Sequence, residues 1–194
     1  MLIKKTLLEK LNSFTNNYTL YEHEAYFTVK DSSVKRGKIK GAHTKNLFLK
    51  NKKNHFFLFS CLEKTEINLK KLSKSLTLGN ISFANEVHLN KLLGVSPGSV
   101  TPFALLNDLE NAVNFYLDKN IIKYDSVNFH PLINTSTVNL STNDLINFLI
   151  ENKKKVNIYD FDNYSHIINT SIHKNYIKKK YNNMYDLDKN SHIR

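Results

Sequence analysis

Glycine and proline are concentrated in residues 94–102, which read Gly-Val-Ser-Pro-Gly-Ser-Val-Thr-Pro. This stretch holds two of the five glycines and two of the three prolines of the chain. Proline fixes φ and removes a backbone donor, whereas glycine permits positive φ and close backbone approach. Their alternation predicts a stiff loop whose remaining amides point in set directions and could hold a polar ligand. A rigid turn between a helix and a strand is the simpler alternative, and spacing alone leaves it open.

Other catalytic signatures are missing from the sequence. The eight histidines are dispersed and there is no cysteine pair, so we predict no metal site. No phosphate loop, dinucleotide fingerprint or Gly-x-Ser-x-Gly elbow is present, so Ser99 is not expected to be a hydrolase nucleophile. Cys61 ends an apolar run, where we expect a small core residue rather than an active thiol. A hydrolase built on this chain would work by positioning water, substrate and backbone donors.

The net charge of +11 is unevenly distributed along the chain. Residues 30–53 contain nine lysines and arginines and one acid, a net of +8, and residues 164–194 contain six against two, a net of +4. The remaining residues therefore sum to −1. Two basic segments on a nearly neutral body are typical of a protein that binds a polyanion. A solvated lysine face is the alternative interpretation.

The length and the apolar content predict a single domain with a buried core, since 41% of the 194 residues are apolar. We assign this domain to residues 1–163 and a basic extension to residues 164–194. No apolar run approaches a membrane span, and residues 1–10 lack the sustained apolar stretch of a signal peptide. The single cysteine excludes an internal disulfide and fits a reducing compartment. We therefore expect a cytoplasmic protein without a membrane partner.

Apolar spacing predicts an amphipathic helix over residues 2–14 and a strand over residues 18–23. Residues 28–38 are compatible with a polar helix. The runs 45–50 and 55–61 flank a polar tetrapeptide and predict a hairpin. The second run is apolar on both faces, so we expect it inside the sheet.

Helices and strands are also predicted in the second half of the chain. Residues 66–76, 86–93 and 142–153 are predicted helices, with Gly94 as a C-terminal stop and Ser141 as an N-cap. Residues 81–84 are a predicted strand, and the predicted final strand is 156–161. Residues 113–117, 127–132 and 137–140 are predicted to form a meander. The irregular order of these elements favours an α+β fold over a doubly wound sheet.

Three segments, in order and at the expected spacing, resemble one known family. They are residues 41–49 (Gly-Ala-His-Thr-Lys-Asn-Leu-Phe-Leu), 92–103 (Leu-Leu-Gly-Val-Ser-Pro-Gly-Ser-Val-Thr-Pro-Phe) and 129–137 (Phe-His-Pro-Leu-Ile-Asn-Thr-Ser-Thr). Together they resemble the YbaK/prolyl-tRNA-synthetase-associated editing domains, in particular the free-standing branch that deacylates alanyl-tRNA(Pro). The resemblance spans residues 1–163. It implies a mixed, barrel-like β-sheet surrounded by helices and hydrolysis of the ester between a wrong amino acid and the tRNA 3′ end, without metal, cofactor or covalent nucleophile.

The same resemblance implies roles for residues of this chain. Lys45 is expected to hold a terminal phosphate, and Asn46 to contact the terminal ribose or the α-amino group. The loop Gly98–Pro102 is expected to face both residues across a pocket. Its amides, with Ser99, Val100 and Thr101 inside it, would polarise the ester carbonyl, and the terminal ribose hydroxyl would help to activate the water. His130 is expected to line the pocket, with a satisfied core histidine as the alternative.

Substrate choice is expected to follow from size, because a hydrolytic pocket too small for proline would select alanine. Val29, Phe48 and Leu132 are the expected pocket walls. The expected partners are the acceptor end of tRNA(Pro) and prolyl-tRNA synthetase, the latter left open by the sequence. Many relatives carry a basic residue where this chain has Asn80, so the resemblance does not imply a tRNA phosphate contact at that position. Deacylation of another mischarged tRNA such as cysteinyl-tRNA(Pro), or tRNA binding without catalysis, are the competing functions.

Overall fold

The computed structural model describes residues 1–25 and 39–169, and its strands form one mixed sheet. The order across the sheet is β1-β7-β6-β2-β3-β5-β8-β9, with β4 paired to β2. The nine strands are Tyr18–Glu22 (β1), Ala42–Asn51 (β2), Phe56–Leu62 (β3), Ile81–Phe83 (β4), Val113–Asp118 (β5), Ser126–Phe129 (β6), Ser136–Ser141 (β7), Val156–Asp160 (β8) and Ser165–Asn169 (β9). The expected mixed sheet is confirmed, but it is open, because β1 and β9 stand at opposite ends of the order.

Helical segments flank this sheet. Ser141 caps the last of them as predicted, since its side chain accepts the amide of Asp144 at 2.9 Å. The segments are Lys4–Phe14 (α1), Leu69–Ser75 (α2), Glu86–His88 (α3) with a π-helical turn at Leu89–Leu93, the 3₁₀ turns Pro102–Asn107 and Ile121–Lys123, and Thr142–Glu151 (α4). None of the helices within the described ranges is long and apolar enough to cross a membrane.

The hairpin of β2 and β3 is confirmed, and β3 lies inside the sheet between β2 and β5. The predicted meander is wrong, because β5 pairs in parallel with β3 and β8, and of the three strands assigned to the meander only β6 and β7 pair with each other. The prediction of residues 156–161 as the final strand is also wrong, since β9 pairs with β8. Local patterns identify strands, whereas partner choice depends on contacts distant in sequence. The helix predicted at 28–38 lies outside the described residues, as does the chain after residue 169.

Two hydrophobic cores lie on the two faces of β2, because successive side chains of a strand point to opposite faces. Ala42 and Phe48 belong to the larger core, together with buried residues of α1 and α4. Leu49 belongs to the smaller core, which includes Leu72 of α2. Leu47 is partly buried and packs against this smaller core. Even-numbered residues of β2 therefore face the larger core, and odd-numbered residues face the smaller one.

Candidate functional site

The glycines and prolines of the loop at residues 94–102 set its backbone geometry. Gly94 has φ of 64° and ends the π-helical turn, its amide donating to the Asn90 carbonyl at 3.2 Å. A tight turn follows at Ser96–Ser99, where the Ser99 amide donates to the Ser96 carbonyl at 3.0 Å and Gly98 has φ of 85°. Proline at the second position and a positive-φ glycine at the third are typical of a type II turn. The loop connects a helical turn to a 3₁₀ helix, not to the strand of the simpler alternative.

The backbone donors of this loop are not all equivalent. The Ser99 amide is engaged in the turn, whereas the N–H groups of Gly98, Val100 and Thr101 have no acceptor among the described residues, like those of Val95 and Ser96 earlier in the loop. The Thr101 side chain accepts the amide of Phe103 and so caps the 3₁₀ helix. Ser99, Thr101 and Pro102 are buried. The loop is thus anchored by its side chains, and of the three residues with these donors Gly98 is exposed, Val100 is half-buried and Thr101 is fully buried.

Asn46 contacts this loop directly, whereas the resemblance implied that the two would face each other across a pocket. Its Nδ2 donates to the Val100 carbonyl at 2.8 Å, and its Oδ1 accepts the hydroxyl of Ser60 at 2.5 Å. Asn46 and Phe48 share a face of β2, the face that carries the larger core. Asn46 and the loop therefore lie against each other in the fold, and contact of Asn46 with the terminal ribose or the α-amino group stays a prediction.

Lys45 leaves β2 from the opposite face. Its Nζ donates to the Thr65 carbonyl at 2.5 Å, and Thr65 in turn donates its hydroxyl to Asp118 at 3.3 Å. Cys61 lies beside the Lys45 backbone, and burial raises the pKa of its thiol to about 12. Burial also raises the pKa of the Asp118 carboxyl. The structure brings Asn46, but not Lys45, against the loop, because neighbouring residues of a strand cannot share a face.

The edge of β2 is open at Asn46. On that side β2 pairs with β6 only at Ala42 and His43, and with β4 only from Leu49 onward. The His43 carbonyl accepts a bond from the β3 side of the strand, and the Phe48 carbonyl accepts one from the β4 side. Backbone groups alternate between the two sides, so the N–H and C=O of Asn46 point into the gap between β6 and β4.

A polar cleft lies where β2 leaves β6. It is lined by Ile39, His43, Thr44, Asn46, Asn128, Phe129, His130 and Thr137. Asn128 holds the start of β2 in place, since its Nδ2 donates to the carbonyls of Lys40 at 2.9 Å and Ala42 at 3.1 Å. Its Oδ1 accepts from Asn139 at 2.8 Å. The cleft is therefore built on side-chain amides that fix the backbone around it.

His130 lines this cleft, and a backbone carbonyl holds its ring in place. Its Nδ1 lies 2.8 Å from the Ser136 carbonyl, and because a carbonyl only accepts, Nδ1 carries the proton. Burial lowers the pKa of His130. The His23 ring is 6.0 Å away, and His23 Nε2 bonds to the Thr137 hydroxyl at 2.9 Å.

The expected pocket walls occupy other positions. Phe48 is a core residue that stacks on Phe56 with ring centroids 5.6 Å apart. Leu132 is buried in the same core, at a backbone φ of 69°. Neither lines the cleft, and Val29 lies outside the described residues.

Sequence reasoning missed several residues of the cleft. Thr44 lies two residues before Asn46, so strand periodicity places it on the same face, and its hydroxyl donates to the Asn128 carbonyl at 2.9 Å. Asn128 could have been noticed as an amide inside an apolar strand. His43 and Thr137 had no distinguishing local signal. In the described part of the chain, no group of three or more His, Cys, Asp or Glu residues could hold a metal ion.

Comparisons with known proteins agree on one family. Residues 23–148 match the aminoacyl-tRNA editing domain family. The chain is 34% identical to a prolyl-tRNA synthetase associated domain-containing protein 1 of Bos taurus, over 82% of this chain and 96% of the bovine protein. It is also 34% identical to the prolyl-tRNA editing protein ProX of Acetoanaerobium sticklandii, over 73% of this chain and 87% of that protein.

A solved structure described as a candidate trans-editing enzyme for prolyl tRNA synthetase superposes with a TM-score of 0.60 at 19% identity. The match covers 79% of this chain and 93% of that one, and it supports the fold. With the family match spanning most of the described sheet and the bovine relative matched along nearly its whole length, the chain belongs to the aminoacyl-tRNA editing domain family.

Proposed function

We propose that this chain is a trans-acting aminoacyl-tRNA deacylase that hydrolyses mischarged tRNA(Pro), with alanyl-tRNA(Pro) as its preferred substrate. Membership of the editing family and the likeness to a ProX protein support the reaction class. The observation that carries the proposal is the contact of Asn46 with a loop whose amides at Gly98, Val100 and Thr101 have no acceptor among the described residues. The acceptor end of tRNA(Pro) is the proposed partner, and prolyl-tRNA synthetase a second one.

The proposed chemistry is stabilisation of an oxyanion by neutral donors. Attack of water on the ester carbonyl carbon puts negative charge on the carbonyl oxygen, where backbone N–H groups of the loop stabilise it. The ester C–O bond then breaks, and the leaving ribose oxygen takes a proton. Because the ester is already activated, the reaction needs no covalent intermediate. The neighbouring ribose hydroxyl is the proposed activator of the water.

Lys45 is proposed to hold a terminal phosphate of the tRNA as a point charge. In the structure its Nζ is bonded to the Thr65 carbonyl on the other face of β2. Phosphate binding would therefore require the ammonium group to exchange that carbonyl for the phosphate. The proposal assigns binding to Lys45 and transition-state stabilisation to the face of β2 that carries Asn46.

Selection of alanine over proline is proposed to depend on the space beside the cleft. A proline ring adds atoms that a pocket shaped for alanine cannot accommodate without displacing its walls. Phe48 and Leu132 are buried in the adjoining core, so they would limit the space by holding the walls rather than by lining the cleft.

The direct test is a panel of alanyl-, cysteinyl-, seryl- and prolyl-tRNA(Pro) incubated with excess protein. We expect rapid loss of the alanyl ester and little loss of the prolyl ester. Faster hydrolysis of the cysteinyl ester would make cysteinyl-tRNA(Pro) the preferred substrate, and the proposed deacylation reaction would stand. Salt-dependent tRNA binding without hydrolysis of any mischarged species would refute the deacylase and favour a non-catalytic tRNA-binding protein.

A further inference from the structure

The orientation of the Asn46 side-chain amide is fixed by its two partners. The Val100 carbonyl has no hydrogen to donate, so the group 2.8 Å from it must be the Asn46 NH2. The Asn46 oxygen then faces Ser60, whose hydroxyl donates to it at 2.5 Å. A flipped amide would set two oxygens against each other at Val100. Only one orientation of the Asn46 amide therefore satisfies both hydrogen bonds, with NH2 toward Val100 and the oxygen toward Ser60.

Ser60 is suited to hold that arrangement and unsuited to touch a substrate. It is fully buried on β3, and it stands directly opposite Asn46 in the register of the hairpin. Its neighbours Phe59 and Cys61 are apolar core residues, so a hydroxyl at this position is the exception in the strand. Its hydroxyl has one described partner, the Asn46 oxygen.

The contact of Asn46 with Val100 also sets the direction of a loop donor. In a trans peptide the carbonyl of one residue and the N–H of the next point in opposite directions. Holding the Val100 carbonyl therefore fixes where the Thr101 N–H points. Two hydrogen bonds, from Ser60 to Asn46 and from Asn46 to Val100, therefore link the interior of the hairpin to the loop.

We propose that Ser60 is a positioning residue that locks the Asn46 amide, so that Asn46 presents only N–H groups toward the loop and the cleft. One N–H holds the Val100 carbonyl, and the second is offered to an oxygen of the substrate, either the ester carbonyl or a ribose oxygen. The α-ammonium group of the amino acid is not expected to bond to the Asn46 side chain, because the Asn46 oxygen faces Ser60 inside the hairpin rather than the cleft. This inference rests on the proposed deacylase function.

A double-mutant cycle tests the inference with Ser60→Ala, Asn46→Ala and the double variant. Without the Ser60 hydroxyl the Asn46 amide is free to rotate, so we expect Ser60→Ala to lower kcat on alanyl-tRNA(Pro) by about tenfold, equivalent to about 1.4 kcal/mol, with little change in KM. In the Asn46→Ala background, Ser60→Ala should have no further effect. Ser60→Cys, which keeps a weak donor of similar volume, should restore part of the rate and replaces the alanine variant if that one does not fold.

Thr142→Val is the matched control, because it removes another buried hydroxyl, which donates to the Tyr124 carbonyl at 2.7 Å. It should lower Tm and leave kcat unchanged. The inference is overturned if Ser60→Ala has the wild-type kcat, or if it lowers the rate of Asn46→Ala by the same factor as that of the wild type.

A second readout separates this inference from the proposed function. In ¹⁵N spectra, Ser60→Ala should shift the Asn46 side-chain amide pair and speed its exchange with solvent, whether or not the protein hydrolyses any tRNA ester. Unchanged Asn46 amide signals would overturn the inference. If the wild type hydrolyses no ester but Ser60→Ala still shifts the Asn46 amide signals, the deacylase function is refuted. The inference that Ser60 locks the Asn46 amide then still stands.

Discussion

Lys45 and Asn46 are neighbours in the chain, yet their side chains leave β2 from opposite faces and meet different surroundings. Asn46 meets the loop and a cleft of neutral amides, hydroxyls and a histidine of lowered pKa. Lys45 meets the Thr65 carbonyl, with the Asp118 carboxyl nearby. Under the proposed function, the first surface would stabilise charge that develops on an ester, whereas the second holds the ammonium group of Lys45. Two adjacent polar residues therefore do not make one pocket, and they are expected to carry separable functions.

The largest effect is expected from Asn46→Ala, which removes the donor to the Val100 carbonyl. We expect the rate of alanyl-tRNA(Pro) hydrolysis at saturating substrate to fall by about a hundredfold, the size found when an oxyanion-hole donor is lost. Single-turnover kinetics measure this rate. Asn51→Ala is the control, because Asn51 is another asparagine of β2 whose side-chain amide donates to a backbone carbonyl, that of Leu78, at 3.0 Å. A wild-type rate in Asn46→Ala would remove the Asn46 face from the chemistry.

A smaller loss is expected from Gly98→Ala, because φ of 85° is unfavourable for any residue with a Cβ. Relaxation of the turn should misdirect the loop amides and lower kcat by about tenfold, equivalent to about 1.4 kcal/mol. Gly79→Ala is the matched control for Gly98→Ala, since Gly79 also has a positive φ, of 73°, and an added Cβ would meet nothing within 4 Å. Both variants should lose stability in thermal melts, and only Gly98→Ala should lose rate. Equal rates in the two variants would contradict a role for the loop geometry.

Lys45→Ala should act on binding rather than on chemistry. Loss of one phosphate contact is expected to raise KM by about tenfold and to reduce the slope of log K against log[salt] by about 0.7–0.9. Binding titrations at several salt concentrations measure that slope. Lys155→Ala removes an exposed lysine just before β8 and serves as the control. An unchanged salt slope in Lys45→Ala would show that Lys45 makes no phosphate contact.

The smallest effect is expected on the pH dependence of stability, when His130 is replaced by a residue that does not titrate. Because its pKa is lowered in the folded state, the neutral form stabilises the fold, and that contribution is lost as pH falls below about 6.5 toward the folded-state pKa. His130→Asn keeps a donor for the Ser136 carbonyl and does not titrate. Its Tm should decline less steeply than that of the wild type between pH 7 and pH 5. Parallel declines would mean that His130 is not the group whose protonation destabilises the fold.

The sequence predicted the features that depend on local backbone chemistry. Apolar runs around a polar tetrapeptide identified the hairpin of β2 and β3, and Gly94 ended its helix as predicted. Gly98 and Pro97 form the tight turn because proline and positive-φ glycine suit it without help from distant residues. The loop at the site was therefore recognisable from its own residue types and their spacing.

Other features depend on contacts between distant parts of the chain and were not predicted. The parallel pairing of β5 with β3 and β8 has no local signal. The buried hydroxyl of Ser60 gains meaning only from its partner Asn46 across the hairpin. The sequence could have predicted that Lys45 and Asn46 point to opposite faces of β2. Strand periodicity places Lys45 with Leu47 and Leu49, on the side of the smaller core.

The most direct test compares wild type, Asn46→Ala and Lys45→Ala in single-turnover hydrolysis of alanyl-tRNA(Pro) at saturating enzyme. The division of work between the two faces of β2 predicts that Asn46→Ala loses most of the saturated rate. Lys45→Ala should reach the wild-type rate once the enzyme concentration compensates for weaker binding. The division is contradicted if Lys45→Ala remains as slow as Asn46→Ala at saturation.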